Sequence, residues 1–143
     1  MRINKEIEYA LIALAFMKDG SLYSASQIAE QTRIPYKLLC KLLQRLKDSR
    51  LVLSIPGSKG GYRISRDLSK MTLQEVMTAV REETDIISCN SPGGCTMPNH
   101  CSISSGMKAL QKTWDKMLSG ITIEKFISLN RFNPDEGLFQ FQE

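Results

Sequence analysis

The sequence predicts a mainly α-helical protein, a winged helix–turn–helix DNA-binding domain joined to a long dimerisation helix. Three amphipathic helical patterns precede a glycine-rich hairpin within residues 5–64. Basic residues crowd residues 33–66. Apolar residues between positions 103 and 121 recur with the 3.5-residue rhythm of a helix–helix seam. We therefore divide the chain into a winged domain, a cysteine-rich cluster-binding loop and a dimerisation helix with its tail: residues 1–85, 86–102 and 103–143.

Length and composition favour one cytosolic domain, or one small domain with a dimerisation arm. The chain has 143 residues, of which 42% are hydrophobic and 24% charged, as in ordinary globular proteins. No apolar run approaches the roughly 18–20 residues that span a bilayer, and the N-terminus lacks the apolar stretch of a signal peptide. We expect a cytoplasmic protein without membrane contact. In that compartment, four cysteines favour metal or redox chemistry over disulfides.

Two helices open the chain. The first is predicted over residues 5–18 from apolar residues at helical spacing: Ile7, Ala10, Leu11 and Leu14. The second is predicted from Ala25 to about Thr32. Ser24 and Gln27 have the spacing of a capping box, in which each side chain bonds a backbone amide at the helix start.

A third helix is predicted from Pro35 to about Ser49, because proline is favoured at the first helical position. One face carries five leucines: Leu38, Leu39, Leu42, Leu43 and Leu46. The other face carries a polar, basic stripe: Lys37, Cys40, Lys41, Gln44 and Lys47 or Asp48. A short helix, a tight turn and a helix with a basic face are typical of a helix–turn–helix.

A β-hairpin follows the third helix directly. The apolar run at residues 51–55 predicts one strand, residues 56–61 a glycine-rich turn, and Tyr62 the start of the return strand. Its position after the helix–turn–helix is that of a wing. The turn is not a phosphate-binding loop, because no Gly-Lys-Ser/Thr follows it.

Two further helices flank the cysteines. Thr72 and Glu75 form a second capping box, and an irregular loop is expected over residues 88–102. The helix after it is predicted to end near Ser119, with the apolar stripe Ile103, Met107, Leu110, Trp114, Met117 and Ile121. The stripe is either buried within one subunit or forms an antiparallel dimer seam; so little chain remains to cover it that the seam is favoured. From Ile123 we expect a short helix and then a frayed tail.

Charge points to a polyanionic partner. Residues 33–66 hold nine Lys and Arg against one acid, whereas residues 89–143 are balanced. A solvated basic surface without a partner would have the same charge count. The basic residues lie on the predicted helix–turn–helix and wing, however, and this position favours double-stranded promoter DNA as the partner. The residues expected to contact the major groove are Pro35, Lys37, Cys40 and Lys41. Ser58 and Lys59, in the wing, are expected to reach the minor groove.

Three cysteines form the candidate metal site. Cys89, Cys95 and Cys101 are separated by five residues each time, in a loop rich in glycine and proline. Zinc knuckles use closer Cys pairs, whereas thiolates are the standard ligands of iron–sulfur clusters. Zinc bound with His100 as a fourth ligand, or three purely structural thiols, are the alternatives.

Together with the wing at residues 57–63 and the opening at residues 1–10, this loop resembles the IscR and NsrR family of winged-helix repressors over residues 1–127. The resemblance implies a homodimer that binds promoter DNA and an iron–sulfur cluster that changes DNA affinity. Biogenesis regulators of that family have a histidine where this chain has Ser104. Nitric-oxide sensors use a carboxylate from the other subunit, matching Glu8 here. Whether the fourth ligand is Glu8 or His100, whether Glu8 is instead a solvated residue, and whether the cluster is 2Fe–2S or 4Fe–4S, stays open.

Other classes are weighed against this hypothesis. Cys40 lies between Lys37 and Lys41, which would favour its thiolate and a redox role, although lone cysteines are usually small apolar residues. A regulator that responds by thiol oxidation or holds zinc is therefore an alternative. A small electron carrier or an enzyme is less favoured, because the chain has no Cys-x-x-Cys, no nucleotide-binding loop and one histidine. The signal, whether iron, nitric oxide or redox state, stays open.

Overall fold

The computed structural model describes residues 3–81, 84–90, 93–96 and 101–129. Within these residues it contains six α-helices and one two-stranded sheet. In chain order they are α1 (Lys5–Phe16), α2 (Ala25–Thr32), α3 (Tyr36–Asp48), β1 (Val52–Ile55), β2 (Gly61–Ile64), α4 (Leu73–Val80), α5 (Ser104–Gly120) and α6 (Ile123–Ser128). Short 3-10 turns lie at Leu68–Lys70 and Ser88–Asn90.

Helix ends follow local hydrogen bonding. The predicted capping box at Ser24 and Gln27 is present, and α2 has the predicted bounds. Helix α1 ends at Phe16, two residues before the predicted position, because the chain turns there: the Lys18 N–H bonds the Ala15 carbonyl three residues back at 3.3 Å, and Gly20 has φ 74°. Pro35 is the N-cap of α3 and not its first helical residue. Its backbone is extended, with ψ 126°, while its carbonyl accepts the Leu39 N–H at 2.9 Å.

The wing is a β-hairpin that also pairs with the segment before α2. Strands β1 and β2 pair antiparallel, with Val52 opposite Ile64. Tyr23, before α2, adds a bridge to Tyr62 through backbone bonds of 2.9 and 2.7 Å. Gly61 is required there, because it has φ +152° and a Cβ would overlap the Tyr23 carbonyl. The sequence analysis missed this bridge.

The core lies where α1, α3 and α4 pack together. Its fully buried members on α3 are Leu39, Leu42, Leu43 and Leu46, as predicted, whereas Leu38 is half-buried. The apolar face predicted for α4 is buried in full: Leu73, Val76, Met77 and Val80. These faces hold the recognition helix α3 against the rest of the domain.

Helix α5 returns to this core at its C-terminal end. The Leu73 N–H bonds the Ile121 carbonyl and the Ile123 N–H bonds the Met71 carbonyl, both at 2.8 Å. The predicted apolar stripe is thereby divided. Its second half packs on the core of the same chain (Trp114, Met117 and Ile121), whereas Ile103 and Leu110 remain 63% and 51% exposed. Burial within one chain therefore holds for the second half of the stripe, and the dimer seam stays a prediction for the first half.

No helix in the described part of the chain is long and apolar enough to cross a bilayer.

Candidate functional site

The helix–turn–helix turn sets the direction of the recognition helix. Arg33 ends α2 in the left-handed conformation, with φ 59°, and Ile34 is buried beneath the turn. Two residues later α3 begins, so its first turns project from the domain. The structure leaves four predicted DNA contacts exposed on this helix and wing: Pro35, Lys37, Lys41 and Lys59. Ser58 is also exposed, and Cys40 is half-buried.

Not every basic residue of the 33–66 block belongs to this surface. The Arg45 guanidinium turns inward, donating to the Val80 carbonyl at 2.7 Å and lying 3.4 Å from the Glu6 carboxylate. Arg66 pairs with Glu75. The Lys41 ammonium is 3.8 Å from Glu6 but remains 57% exposed. The cationic surface is therefore smaller than the count of nine suggests, and Lys41 shares its counterion with Arg45.

Tyr36 is part of the same surface and was missed by the sequence analysis. It is the first residue of α3, and its side chain is 54% exposed. A side-chain hydrogen bond with Cys40, one helical turn on, is the largest cause that raises the pKa of Tyr36. Its position in the sequence, one residue before the predicted DNA contact Lys37, could have indicated that Tyr36 belongs to this surface.

The three loop cysteines are free thiols: Cys89 and Cys101 are half-buried and Cys95 is exposed. They are not gathered in this structure, since no three Cys, His, Asp or Glu side chains among the described residues lie where they would hold a metal. His100, the alternative zinc ligand, lies outside the described residues. The thiols are thus available for ligation without being arranged for it.

Two buried contacts connect the neighbourhood of the cysteines to other helices. Val80, the last residue of α4, is held to α3 by Arg45. The Ile86 N–H donates at 2.9 Å to the side-chain carbonyl of Gln111, the buried polar residue of α5. Gln111 in turn donates to Asp115 at 2.9 Å. The segment that leads to Cys89 therefore contacts both the recognition-helix side and α5.

Glu8 lies on α1, with its side chain 45% exposed and paired with Lys5 at 2.7 Å. The hydrogen bond with Glu8 and their attraction raise the pKa of Lys5. Within this subunit Glu8 is not part of a metal-binding group. Its carboxylate is open enough to meet a partner.

Comparison with known proteins agrees with this architecture. The model of the Rrf2 family, described as "Iron-dependent Transcriptional regulator", matches residues 3–128. The HTH-type transcriptional regulator IscR of Escherichia coli is 28% identical over 131 residues, covering 90% of this chain and 81% of its own. Such relatives are transcriptional regulators and not enzymes.

Two solved structures share the fold. IscR of T. potens superposes with a TM-score of 0.68 at 19% identity, over 92% of this chain and 89% of its own. CymR, the global cysteine regulator of B. subtilis, superposes with a TM-score of 0.70 at 18% identity, over 92% of this chain and 99% of its own. The winged helix–turn–helix predicted from the sequence is thus confirmed, and the chain belongs to the Rrf2 family of transcriptional regulators.

Proposed function

We propose that this chain is a promoter-binding repressor that acts in the cytosol as a homodimer and responds to an iron–sulfur cluster held by Cys89, Cys95 and Cys101. The observation that carries the proposal is the position of three free thiols between α4 and α5, beside contacts that reach both α3 and α5. The cytosolic location follows from the proposed partner, because a promoter-binding protein acts at the chromosome.

The donor set fits an iron–sulfur cluster in its chemistry. Thiolates are the usual ligands of such clusters, and none of the three sulfurs is used in a disulfide. The described residues do not bring the sulfurs together, so binding would require the loop to rearrange. The proposal covers either cluster type, 2Fe–2S or 4Fe–4S. A bound cluster would supply a group that oxygen, nitric oxide or iron shortage can remove.

On the DNA side, the exposed cations supply phosphate contacts, which position the protein and make binding dependent on salt. Lys37 and Lys41 lie on the outward face of α3 for the major groove. Ser58 and Lys59 are exposed in the turn of the wing and are proposed to reach the minor groove. Pro35 and Cys40 complete the proposed contact set.

The homodimer is supported by the exposed half of the α5 stripe. Ile103 and Leu110 are large apolar side chains that this chain leaves open to water, each about one helical turn from the half-buried Met107. A second copy of α5 packed against them would remove that surface from water. Ligation by Glu8 would further require the α1 of one subunit to approach the cysteine loop of the other.

Coupling between the loop and DNA would use the two contacts already described. Ordering the loop around a cluster would move or stiffen the segment that Gln111 holds at Ile86. The same ordering would act at Val80, where Arg45 connects α4 to the recognition helix. We propose that this shifts the dimer between two spacings of its α3 helices.

Anaerobic purification tests the cluster directly. We expect visible absorbance with matching iron and sulfide, lost in Cys89→Ala, Cys95→Ala and Cys101→Ala. Cys40→Ala is the matched control and should keep the spectrum, because Cys40 lies on α3. A colourless wild type without iron would reject the proposal.

A regulator that responds by thiol oxidation is the second candidate. It is favoured because the three loop thiols are not brought together and because Cys40 lies on α3, one helical turn after Tyr36. One structural relative is Staphylococcus aureus CymR in a form titled "oxidized", with a TM-score of 0.63 at 19% identity. For this chain, peroxide-dependent loss of DNA binding that Cys40→Ala prevents would support it. Stoichiometric zinc would instead indicate the zinc-containing regulator.

Variants of Glu8 and His100 test whether the fourth cluster ligand comes from α1 of the other subunit or from the cysteine loop itself. Glu8→Ala should leave some cluster but change its spectrum or its rate of loss to oxygen or nitric oxide, because a carboxylate holds iron less firmly than a thiolate. Glu6→Ala, on the same helix, is the control and should not alter the spectrum. If Glu8→Ala matches wild type while His100→Ala destroys the cluster, the fourth ligand belongs to the loop.

A further inference from the structure

The first turn of α3 exposes an aromatic ring in the middle of the proposed DNA-contacting surface. Tyr36 is the most exposed large apolar side chain of residues 3–81, at 54%. It lies one residue from Lys37 and one turn from Cys40, with Lys41 just beyond. An exposed ring among cations is poorly placed for stability, since it leaves apolar surface in water.

The hydroxyl of Tyr36 is influenced by side chains of its own chain. Hydrogen bonding with Cys40 is the largest cause that raises the pKa of Tyr36, and hydrogen bonding with Ser26 of α2 acts in the opposite direction. A tyrosine has only two side-chain torsions, so its ring has little freedom to lose on binding.

The apolar surface of the ring is therefore the part available to a ligand. In the major groove the bases present hydrogen-bonding groups, with one apolar exception, the C5-methyl group of thymine. We propose that Tyr36 contributes to sequence preference by packing its ring against a thymine methyl in each half-site. This inference rests on the proposed DNA-contacting surface. It adds a residue that contacts a base to the lysines that contact phosphates.

Uracil substitution tests the contact, because dU lacks only the methyl group of dT. A duplex of about 30 base pairs is selected from a randomised library by the wild-type protein, and each dT is replaced by dU in turn. One replacement per half-site should weaken wild-type binding about four-fold, the effect of one buried methyl group. Tyr36→Ala should bind the dT and dU duplexes equally. Tyr36→Phe should keep the sensitivity, because it keeps the ring.

Lys37→Ala separates two possible failures: that of the thymine contact and that of the proposed DNA-contacting surface as a whole. It should weaken binding equally on dT and dU duplexes. If Tyr36→Ala keeps wild-type affinity, or keeps the dU sensitivity, the thymine contact is wrong, while a loss in Lys37→Ala leaves the surface intact. An equal loss in Tyr36→Ala on every duplex, including non-specific DNA, also overturns it, because the ring would then contact the backbone.

Discussion

Arg45 connects three elements through one guanidinium group. From α3 it donates to the Val80 carbonyl at the end of α4 and lies beside Glu6 of α1. Val80 is the last residue of α4, so no N–H of the helix can bond its carbonyl. Arg45 supplies the missing hydrogen-bond donor. Arg45 therefore orients α3, and it contributes less to the DNA-facing charge than its type suggests.

Replacing Arg45 should lower stability more than replacing an exposed base. Arg45→Met should lower the free energy of unfolding by about 1–2 kcal/mol, because the partly buried Val80 carbonyl loses its charged donor. Urea unfolding followed by circular dichroism measures the loss. The control is Lys47→Met, at an exposed position of the same helix, with an expected change within about 0.5 kcal/mol. Equal losses in both variants would contradict the role of Arg45.

Lys59 should act on DNA affinity alone. Lys59→Ala at the wing tip should weaken binding to all sequences and reduce the slope of log affinity against log salt by about one. Fluorescence anisotropy over a salt series gives both values. Lys108→Ala, at an exposed position on α5, should leave the slope unchanged. An unchanged slope in Lys59→Ala would remove the wing from the proposed contacts.

At the scale of elements, the start of α4 is stabilised by a capping box joined to an ion pair. Glu75 accepts the Thr72 N–H at 2.8 Å and pairs with Arg66. Partial burial alone would raise the pKa of Glu75, but the bonds from Thr72 and Arg66 outweigh it and hold that pKa below its usual value. A carboxyl with a lowered folded pKa stabilises the protein above its unfolded pKa and loses this effect as pH falls through the folded value.

The contribution of Glu75 should therefore depend on pH. Glu75→Gln should destabilise the fold near neutral pH, and its difference from wild type should shrink as the pH falls through the lowered pKa of Glu75, because the wild-type carboxylate is then protonated. Urea unfolding at a series of pH values measures this difference. Glu124→Gln, at an exposed site on α6, is the control. A constant Glu75→Gln difference across pH would exclude an electrostatic origin.

At the scale of the whole molecule, the exposed half of the α5 stripe should decide the oligomeric state. Leu110→Asp should give a monomer with little DNA affinity, because it places a charge in the proposed seam. Sedimentation velocity measures the mass. Ala109→Asp adds the same charge at an exposed position off the stripe and should stay dimeric. A wild type that is monomeric at concentrations where it binds DNA would reject the homodimer.

Local signals made much of the fold predictable. The capping boxes at Ser24 and Thr72 mark the starts of α2 and α4, because a cap depends on residues three positions apart. The leucines of α3 and the glycine-rich turn of the wing depend on similarly short spacings. Cysteine spacing identified the candidate site in the same way.

Amino-acid sequence by itself thus determined the order of elements, the apolar faces of α3 and α4, and which residue types stand at the surface. Only the tertiary structure decided that Tyr23 joins the wing, that Arg45 turns inward, that Gln111 holds Ile86, and that the α5 stripe is divided. Each of these depends on how residues tens of positions apart meet. The periodicity of one helix indicates which face is apolar, but the docking of its neighbours determines how much of that face is covered.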